Sequence, residues 1–356
     1  IHCQVYWPDN SAVSQMITAV AEDAARAGFA VTVITSANAY NLEDTFAPEE
    51  IHERVRILRV GGARWNRHRV WGRLVNYLNF VVRSGIKLFQ LSAPDCLVVT
   101  SVPPFSLMPA CLLRAIKKVP FVYVVEDLYP DIAIESGLLR RDSCLTRLVM
   151  KAFGWMMRQA QAVIVLGAHM KKRLLASHPH IHPEVVHQID NWHDGTLLFP
   201  LGEREAVGNP VCFQYSGNLG EGHEVETLLL AMSGLKHRPD LAFQFVGRGK
   251  RRPYLEQQVR DKGLTNCRFQ DYVPLESLNQ TLNQASVCLV SLRKGYEGLI
   301  VPSKIYGIMA VGRPVLFIGA TEGEIPDLIR KWRMGWVVEQ GDVAELVKAI
   351  EEAAGR

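Results

Sequence analysis

The feature that most constrains the fold is a strand–loop–helix–strand pattern late in the chain. Residues 287–292 form an apolar run typical of a buried parallel strand, and a second such run covers residues 314–318. Between them, residues 303–312 have helical spacing, with Ser303 predicted as the N-cap. A helix N-terminus beside a strand end offers backbone N–H groups to phosphate, and Lys304 adds a positive charge there. The pattern therefore predicts a parallel sheet with an anion site at one edge.

The same alternation of apolar runs and helical segments recurs along the whole chain. The other predicted strands share a short apolar run ahead of a polar loop: residues 1–6, 31–35, 55–60, 96–100, 121–125, 162–166 and 211–215. Residues 195–210 are rich in turn-forming residues and are predicted to be a linker. At 356 residues the chain is long enough for two domains, which we place at residues 1–195 and 196–356. The predicted fold class is α/β.

Composition excludes several other classes of protein. The chain is 48% hydrophobic and 21% charged, which is typical of a globular protein, and it has no apolar run long enough for a transmembrane helix. Its net charge of +4 is too small to indicate nucleic-acid binding. The seven cysteines lack CxxC spacing and are predicted to be free thiols. The first strand–helix loop has no GxGxxG motif, which argues against an NAD enzyme.

Residues 302–314 read Pro-Ser-Lys-Ile-Tyr-Gly-Ile-Met-Ala-Val-Gly-Arg-Pro. This segment resembles the donor-binding segment of family 4 of the retaining glycosyltransferases. Within that family it most resembles bacterial enzymes of colanic-acid and O-antigen assembly, including the L-fucosamine transferase type. The resemblance extends over nearly the whole chain. It implies the GT-B architecture: two Rossmann-like domains whose parallel sheets face each other across a cleft, the first binding the acceptor and the second the nucleotide sugar.

The resemblance also implies which residues bind the donor. A glycine-rich loop at residues 216–223 would let backbone N–H groups approach a diphosphate, and the loop at residues 247–250 would supply cations. Residues 271–273 match the segment that flanks the nucleobase. The predicted donor-binding residues are Ser216, Gly217, Asn218, Gly220, His223, Gly247, Arg248, Lys250, Tyr272, Val273, Leu299, Ile300, Val301, Pro302, Ser303 and Lys304.

The chain departs from the family pattern at several positions. Asn218 and His223 stand where many members carry Arg and Lys, so the cationic role is predicted to move to the loop at residues 247–250. The family's two glutamates, separated by seven residues, would fall on Leu299 and Gly307. Whether Glu297 replaces the first of them is left open.

Polar residues in the first half supply the remaining candidates. The predicted catalytic residues are Asp127, Lys304 and Arg248, and the predicted acceptor-side residues are Asp9, Asn10, Ser11, Glu126 and Tyr129. Acids directly after an apolar strand lie where open α/β sheets hold ligands, although a solvated turn is the alternative. For residues 9–11, a turn that caps the following helix is equally compatible with the sequence.

Basic and aromatic residues cluster over residues 64–73, at the start of an apolar helical segment that continues to Lys87. This pattern is typical of an interfacial helix on anionic lipid, and a basic-edged core helix is the alternative. The resemblance favours membrane contact, because the family's acceptors are often sugars on a polyprenyl diphosphate. Nucleic acid is not an expected partner, since no recognition motif accompanies the basic residues.

The resulting hypothesis is a metal-independent retaining glycosyltransferase of bacterial surface polysaccharide synthesis. It would move an N-acetylated sugar from a UDP-sugar to a lipid-linked or saccharide acceptor, in the cytoplasm and peripheral on the inner face of the plasma membrane. Neither a metal nor another cofactor is expected, because the cations of the donor site would stabilise the leaving diphosphate. A GDP-linked donor, a sugar-nucleotide epimerase or phosphorylase on the same fold, and a non-catalytic sugar-nucleotide binding subunit are the alternatives.

Overall fold

The computed structural model describes residues 1–9, 11–38, 45–62, 70–202 and 210–355. These residues form two compact units. Unit 1 comprises Ile1–Asp190 together with Gly298–Ile300, and unit 2 comprises Asn191–Glu297 together with Val301–Arg356. Part of the segment predicted as a linker, residues 203–209, lies outside the described residues.

Unit 1 alternates strands and helices. Its strands are β1 (Thr32–Ser36), β2 (Glu49–His52), β3 (Val55–Val60), β4 (Leu97–Thr100), β5 (Phe121–Val125), β6 (Ala162–Val165) and β7 (Val186–Gln188). Its helices are α1 (Ala12–Arg26), α2 (Val70–Gln90), α3 (Leu107–Lys117), α4 (Asp131–Glu135), α5 (Cys144–Met157) and α6 (Ala168–Ser177).

The sheet of unit 1 is parallel except at one edge. The strand orders β2-β3-β1 and β4-β5-β6-β7 are joined through His2, which bridges Ile34 of β1 and Val99 of β4. The predicted strand over residues 1–6 was wrong in extent, because His2 alone forms ladder bridges, whereas Cys3 N and Gln4 N donate single hydrogen bonds to Ile34 O and Val102 O. The antiparallel edge strand β2 was not predicted, because its sequence, Glu-Glu-Ile-His, has no apolar run and its side chains are not buried.

Unit 2 has the same alternation. Its strands are β8 (Val211–Ser216), β9 (Leu241–Val246), β10 (Cys267–Gln270), β11 (Val287–Ser291), β12 (Val315–Gly319) and β13 (Gly335–Glu339). Its helices are α7 (Glu226–Gly234), α8 (Arg252–Asp261), α9 (Leu275–Asn283), α10 (Lys304–Ala310), α11 (Glu324–Trp332) and α12 (Val343–Ala354).

The sheet of unit 2 is parallel throughout and has the doubly wound order β10-β9-β8-β11-β12-β13. Every residue of β11 and β12 is buried, which confirms the two buried strands predicted from residues 287–292 and 314–318. One face packs on α7 and α12 through a core that includes Phe213 and Phe243, whose rings stack at 5.5 Å. The strand order reverses between β8 and β11, so the crevice for a ligand lies at the carboxyl ends of these two strands.

The longest described helix is α2, with 21 residues, and it is the helix predicted to follow the basic cluster. Residues 63–69, which hold most of that cluster, lie outside the described residues. None of the helices in the described part of the chain has the combined length and hydropathy that a bilayer span requires.

Candidate functional site

Two glycine-rich loops meet at the carboxyl edge of the unit 2 sheet. A Cβ atom on Gly247 would lie under 3.0 Å from the carbonyl oxygen of Gly217, and one on Gly249 would lie equally close to the backbone of Leu219. Both glycines have positive φ, at +124° and +141°. Other residues adopt that conformation only with strain, so the close approach of the two loops depends on these glycines. This contact fixes the wall of the crevice next to β8.

Lys304, the first residue of α10, lies across the same crevice. Its Nζ atom is 3.5 Å from the centroid of the Tyr215 ring, and a Cβ on Gly217 would be 3.7 Å from it. The Nζ atom is buried and has no hydrogen-bond partner among the described residues. Burial holds the pKa of Lys304 well below its usual value. Among the residues that the structure describes, no acid pairs with this buried amine to neutralise its positive form.

His223 lies beside this amine and is held as a neutral imidazole. Its Nδ1 is 2.7 Å from the carbonyl oxygen of Ser291, which can only accept, so Nδ1 carries the proton. Burial and the positive charge of Lys304 lower the pKa of His223 to about 3, against the opposing effect of the Ser291 hydrogen bond. Nε2 is then an acceptor for a ligand hydroxyl or amide, so His223 does not replace the cation found there in many family members.

Arg248 and Lys250, the two cations predicted to replace the family's Arg and Lys, are paired with acids. Arg248 Nη2 lies 2.7 Å from Asp271, which also contacts Arg252, and Lys250 Nζ lies 2.8 Å from Glu221. The side chains of both cations are substantially exposed. A phosphate would have to displace these carboxylates before it could bind either cation. Neither ion pair was predicted, because Asp271 is 23 residues from Arg248 and Glu221 is 29 residues from Lys250 along the chain.

Gly298–Ile300, in the middle of the loop between β11 and α10, belong to unit 1. Leu299 is fully buried, and its carbonyl oxygen accepts from Leu128 N at 2.9 Å. Ile300 forms an antiparallel bridge with Asp127. The side chain and the carbonyl of Leu299 are thus both occupied within the protein, which restricts what this predicted donor residue can offer to a ligand.

Val301, Pro302 and Ser303 lead directly into α10. Val301 and Pro302 are buried, and Pro302 O accepts from Ile305 N at 3.2 Å. Ser303 already has helical dihedral angles (φ −58°, ψ −21°), and its side chain makes no capping hydrogen bond. Ser303 is the residue directly before α10, as predicted for the N-cap, but the capping hydrogen bond expected from its side chain is not formed. Its half-buried hydroxyl is therefore not committed to capping α10.

The remaining predicted donor residues line the two glycine loops. Ser216 ends β8, and Asn218 O accepts from Tyr215 Oη at 3.0 Å. A Cβ on Gly220 would be 3.4 Å from the amide nitrogen of Asn218. Tyr272 and Val273, which follow β10, are partly exposed, and the Tyr272 ring lies against Gly247.

The positions of the family's glutamate pair are occupied differently here. A Cβ on Gly307 would lie 3.0 Å from Leu198 and 3.4 Å from His193, so there is no free space for a glutamate. Glu297 Oε2 accepts from Gly295 N at 2.8 Å. Its other oxygen, Oε1, is buried without a partner among the described residues. A buried acceptor with no donor suits a ligand hydroxyl, so Glu297 stays a candidate for the first glutamate's role.

The acids after β5 differ in their surroundings. Burial raises the pKa of Asp127 to about 6, and the backbone N–H groups of Asp127 and Glu126 both donate to Ser101 Oγ. Asp131 accepts a hydrogen bond from Ser177 and is part of the internal structure of unit 1. Of these acids, Asp127 thus has a pKa suited to proton transfer near neutral pH.

The first loop of unit 1 is built as a helix cap. Asp9 Oδ1 accepts from Ser11 N at 2.8 Å, and Ser11 Oγ accepts from Ser14 N at the start of α1. The helix-capping turn that the sequence also allowed is therefore formed. An acceptor role for these residues stays a prediction. Asn10 lies outside the described residues, and Tyr129 follows Asp127 in a partly buried turn. Across the described ranges, no group of three or more His, Cys, Asp or Glu side chains is arranged to hold a metal ion.

Two protein families match the chain, one in each half. Residues 11–192 match the family described as "Glycosyl transferase 4-like domain", and residues 211–355 match "Glycosyl transferases group 1". The chain is 29% identical over 258 residues to "Probable glycosyltransferase WbjE" of Pseudomonas aeruginosa, covering 70% of this chain and 64% of that protein. It is 30% identical over 140 residues to "Putative colanic acid biosynthesis glycosyl transferase WcaI" of Escherichia coli K12, covering 39% and 34%. The alignments thus span less than two thirds of either relative.

Solved structures confirm the predicted fold. Anabaena Alr3699/HepE, solved in complex with UDP and glucose, superposes with a TM-score of 0.66 at 16% identity, over 99% of this chain and 88% of that one. At this identity the likeness establishes the architecture alone. The fold is GT-B, with two Rossmann-like α/β domains.

Proposed function

The chain belongs to the glycosyl transferase 4-like family, and from that premise we propose that it is a glycosyltransferase of bacterial surface polysaccharide synthesis. It transfers a sugar from a nucleoside diphosphate sugar, bound by unit 2, to a lipid-linked or saccharide acceptor, bound by unit 1. The donor is a UDP-linked N-acetylated sugar, transferred with retention and without a metal ion. The enzyme works in the cytoplasm, peripherally at the inner face of the plasma membrane.

The observation that carries this proposal is the buried amine of Lys304 at the strand-order reversal of a doubly wound sheet. Its Nζ has no hydrogen-bond partner among the described residues and faces the glycine loop after β8. A diphosphate bound there would supply the missing negative charge, and the amine would take up a proton. Charge that develops on the leaving diphosphate would then be stabilised by a preorganised cation in a site with little water. No metal is needed for that step.

The finer parts of the proposal have separate support. A UDP-linked donor is favoured by the relative of similar fold that was solved with UDP and glucose. The sugar class, retention and the lipid-linked acceptor follow from the resemblance to the colanic-acid and O-antigen enzymes. Asp127 is the residue of unit 1 that we place next to the acceptor hydroxyl, because its raised pKa lets it exchange a proton near neutral pH.

A calorimetric titration with UDP, GDP and NAD in the presence of EDTA tests the donor site. We expect saturable binding of UDP, weaker binding of GDP and none of NAD. Binding of GDP alone would keep the phosphate site and change the donor class. If none of the nucleotides binds, the proposed site is wrong.

The paired state of Arg248 and Lys250 favours one alternative, a sugar-nucleotide binding subunit without catalysis. In that case UDP would bind, but no UDP-sugar would be consumed with any lipid-linked or oligosaccharide acceptor. Release of UDP together with a glycosylated acceptor supports the transferase. Formation of free inorganic phosphate or an epimerised donor identifies the enzymatic alternatives.

A further inference from the structure

Three neighbouring helices of unit 1 carry large apolar side chains that point into solvent. We call this surface the three-helix face and define it by eleven residues on α2, α3 and α5, each more than a third exposed. They are Trp71, Val75, Leu78, Val82, Ile86, Met108, Leu112, Ile116, Leu145, Leu148 and Trp155. Isolated exposed apolar residues are ordinary on a protein surface, but a contiguous set of this size marks an interaction site.

The three helices are packed side by side, with α3 in the middle. A Cβ on Gly85 of α2 would lie 3.3 Å from Pro109 of α3, and Lys117 Nζ donates to the carbonyl oxygen of Phe89 at 2.8 Å. On the other side, Cys111 Sγ of α3 contacts the carbonyl oxygen of Met156 of α5 at 3.6 Å. The exposed stripes of the three helices therefore lie next to one another.

The stripe on α2 is not a by-product of core packing. Its five residues recur at intervals of three and four, which places them within one narrow arc of the helix. The residues that α2 buries, among them Phe80, Val81 and Leu88, lie on the opposite side. An amphipathic helix needs only one apolar face in order to pack on a sheet. The second face leaves apolar surface in water, which is unfavourable unless another surface covers it.

The charge on these helices determines which kind of surface fits. None of the chain's 36 acidic residues lies on α2, α3 or α5, whereas all three helices carry basic residues, among them Arg83, Lys87, Arg114, Lys117, Arg147 and Lys151. Two copies of this face would repel each other, so self-association is disfavoured. Trp71 and Trp155 suit a boundary between water and hydrocarbon, because indole combines a large apolar ring with one polar N–H group.

We propose that the three-helix face is a docking surface for an anionic lipid bilayer. The apolar stripes enter the boundary between headgroups and acyl chains, and the basic side chains contact the anionic headgroups. The surface extends beyond the helix predicted to be interfacial, because α3 and α5 together contribute six of its eleven residues. The proposal rests on the membrane location given in the proposed function and names the surface that would produce it. Its test needs no nucleotide, so it can fail while the donor site stands, and the donor site can fail while docking stands.

Co-sedimentation with lipid vesicles tests this surface. The variant carries Leu112→Glu and Trp155→Glu, and the matched control carries Leu230→Glu and Trp332→Glu in unit 2. Leu112 and Leu230 are both 52% exposed, and Trp155 and Trp332 are both 58% exposed. The two double variants therefore add the same charge and remove the same apolar area. Thermal unfolding is measured for each, and neither should lose its cooperative transition, because all four side chains are on the surface.

We expect the wild type and the control to bind vesicles of phosphatidylcholine and phosphatidylglycerol in a roughly 2:1 ratio, and to bind phosphatidylcholine alone much more weakly. The variant should bind the mixed vesicles at least about tenfold more weakly than the control, and high salt should weaken wild-type binding. Equal binding by variant and control, or no wild-type binding, overturns the proposal. A wild-type dimer that ignores vesicles and is dissociated in the variant would identify the face as a contact between copies.

Discussion

Lys304 holds a buried amine whose positive form is unfavourable unless a negative charge lies beside it. Its amine is buried against the Tyr215 ring and the Gly217 backbone, and burial lowers its pKa well below that of a lysine in water. The unfolded chain therefore binds more protons at this residue than the folded chain does at any pH between the folded pKa and the ordinary value near 10.5. Stability contributed through Lys304 accordingly rises with pH across that window.

Lys304→Met separates the cost of burying the amine from the contribution of the amine to diphosphate binding. At neutral pH we expect the variant to be as stable as the wild type or more so, because the burial cost of the amine is removed. UDP affinity and sugar transfer should fall by at least about tenfold, because a charge-assisted contact to the diphosphate is lost. Urea unfolding and calorimetry with UDP measure the two quantities.

Lys348→Met is the control for this experiment. Lys348 is an exposed lysine of unit 2 that forms an ion pair with Glu345, one turn away on α12. We expect a change below about 1 kcal/mol in stability and none in UDP affinity. A Lys304→Met protein that keeps wild-type UDP affinity would refute the role assigned to the amine.

The two glycine loops act as one element, because each is held by the backbone of the other. Leu219 N donates to Arg248 O at 2.7 Å, and Arg251 N donates to Leu219 O at 3.0 Å. The contact between Gly247 and Gly217 is too close for any side chain. The loops therefore present their backbone N–H groups in a fixed arrangement, which is what recognition of a diphosphate requires.

Gly247→Ala should separate the two loops. We expect a loss of about 2 kcal/mol or more in the free energy of unfolding, together with weaker UDP binding, because the positive φ and the close backbone contact both disfavour a Cβ. Denaturant unfolding and calorimetry provide the readouts.

Gly234→Ala, at the end of α7, is the matched substitution. A Cβ there would meet no atom within 4 Å, so stability should be unchanged or rise by up to about 1 kcal/mol. Equal effects of the two substitutions would show that the loop contact does not constrain the site.

At the scale of the whole molecule, each unit contains a buried neutral histidine. Burial lowers the pKa of both His2 in unit 1 and His223 in unit 2 to about 3. In the unfolded chain both titrate near their usual value of 6.5, so below that pH the unfolded state binds the extra protons. Stability is therefore lost as pH falls from about 6.5 toward 3. Asp127 acts in the opposite sense between about pH 4 and 6, because its raised pKa makes the folded state bind the proton.

We expect acid to destabilise the wild type between pH 6.5 and 4, with each histidine contributing a slope of about 1.4 kcal/mol per pH unit. His223→Gln should reduce the slope of unit 2 and leave the contribution of His2. Urea unfolding of the wild type and the variant at about pH 7, 6 and 5 measures how the free energy of unfolding depends on pH. A wild-type stability that does not change across this range would contradict the buried, neutral state of both residues.

The buried parallel strands and the family could both be inferred from local sequence alone. Parallel strands covered on both faces need continuous apolar runs, so β11 and β12 were readable from local composition. The glycine loops and Lys304 were also readable, because their spacing relative to those strands is a local property. These features depend on neighbours in the chain rather than on partners in space.

The pairing of charges and the exposure of apolar helix residues depend on the tertiary structure. Asp271 pairs with Arg248, which is 23 residues away along the chain. Lys304, at the start of α10, lies over the ring of Tyr215 on β8. On α3 and α5, the same types of apolar residue occur on the buried side and on the exposed side, so the sequence does not distinguish the two sides. Pairing and exposure are set by distances between elements that are remote in sequence, and no local pattern encodes those distances.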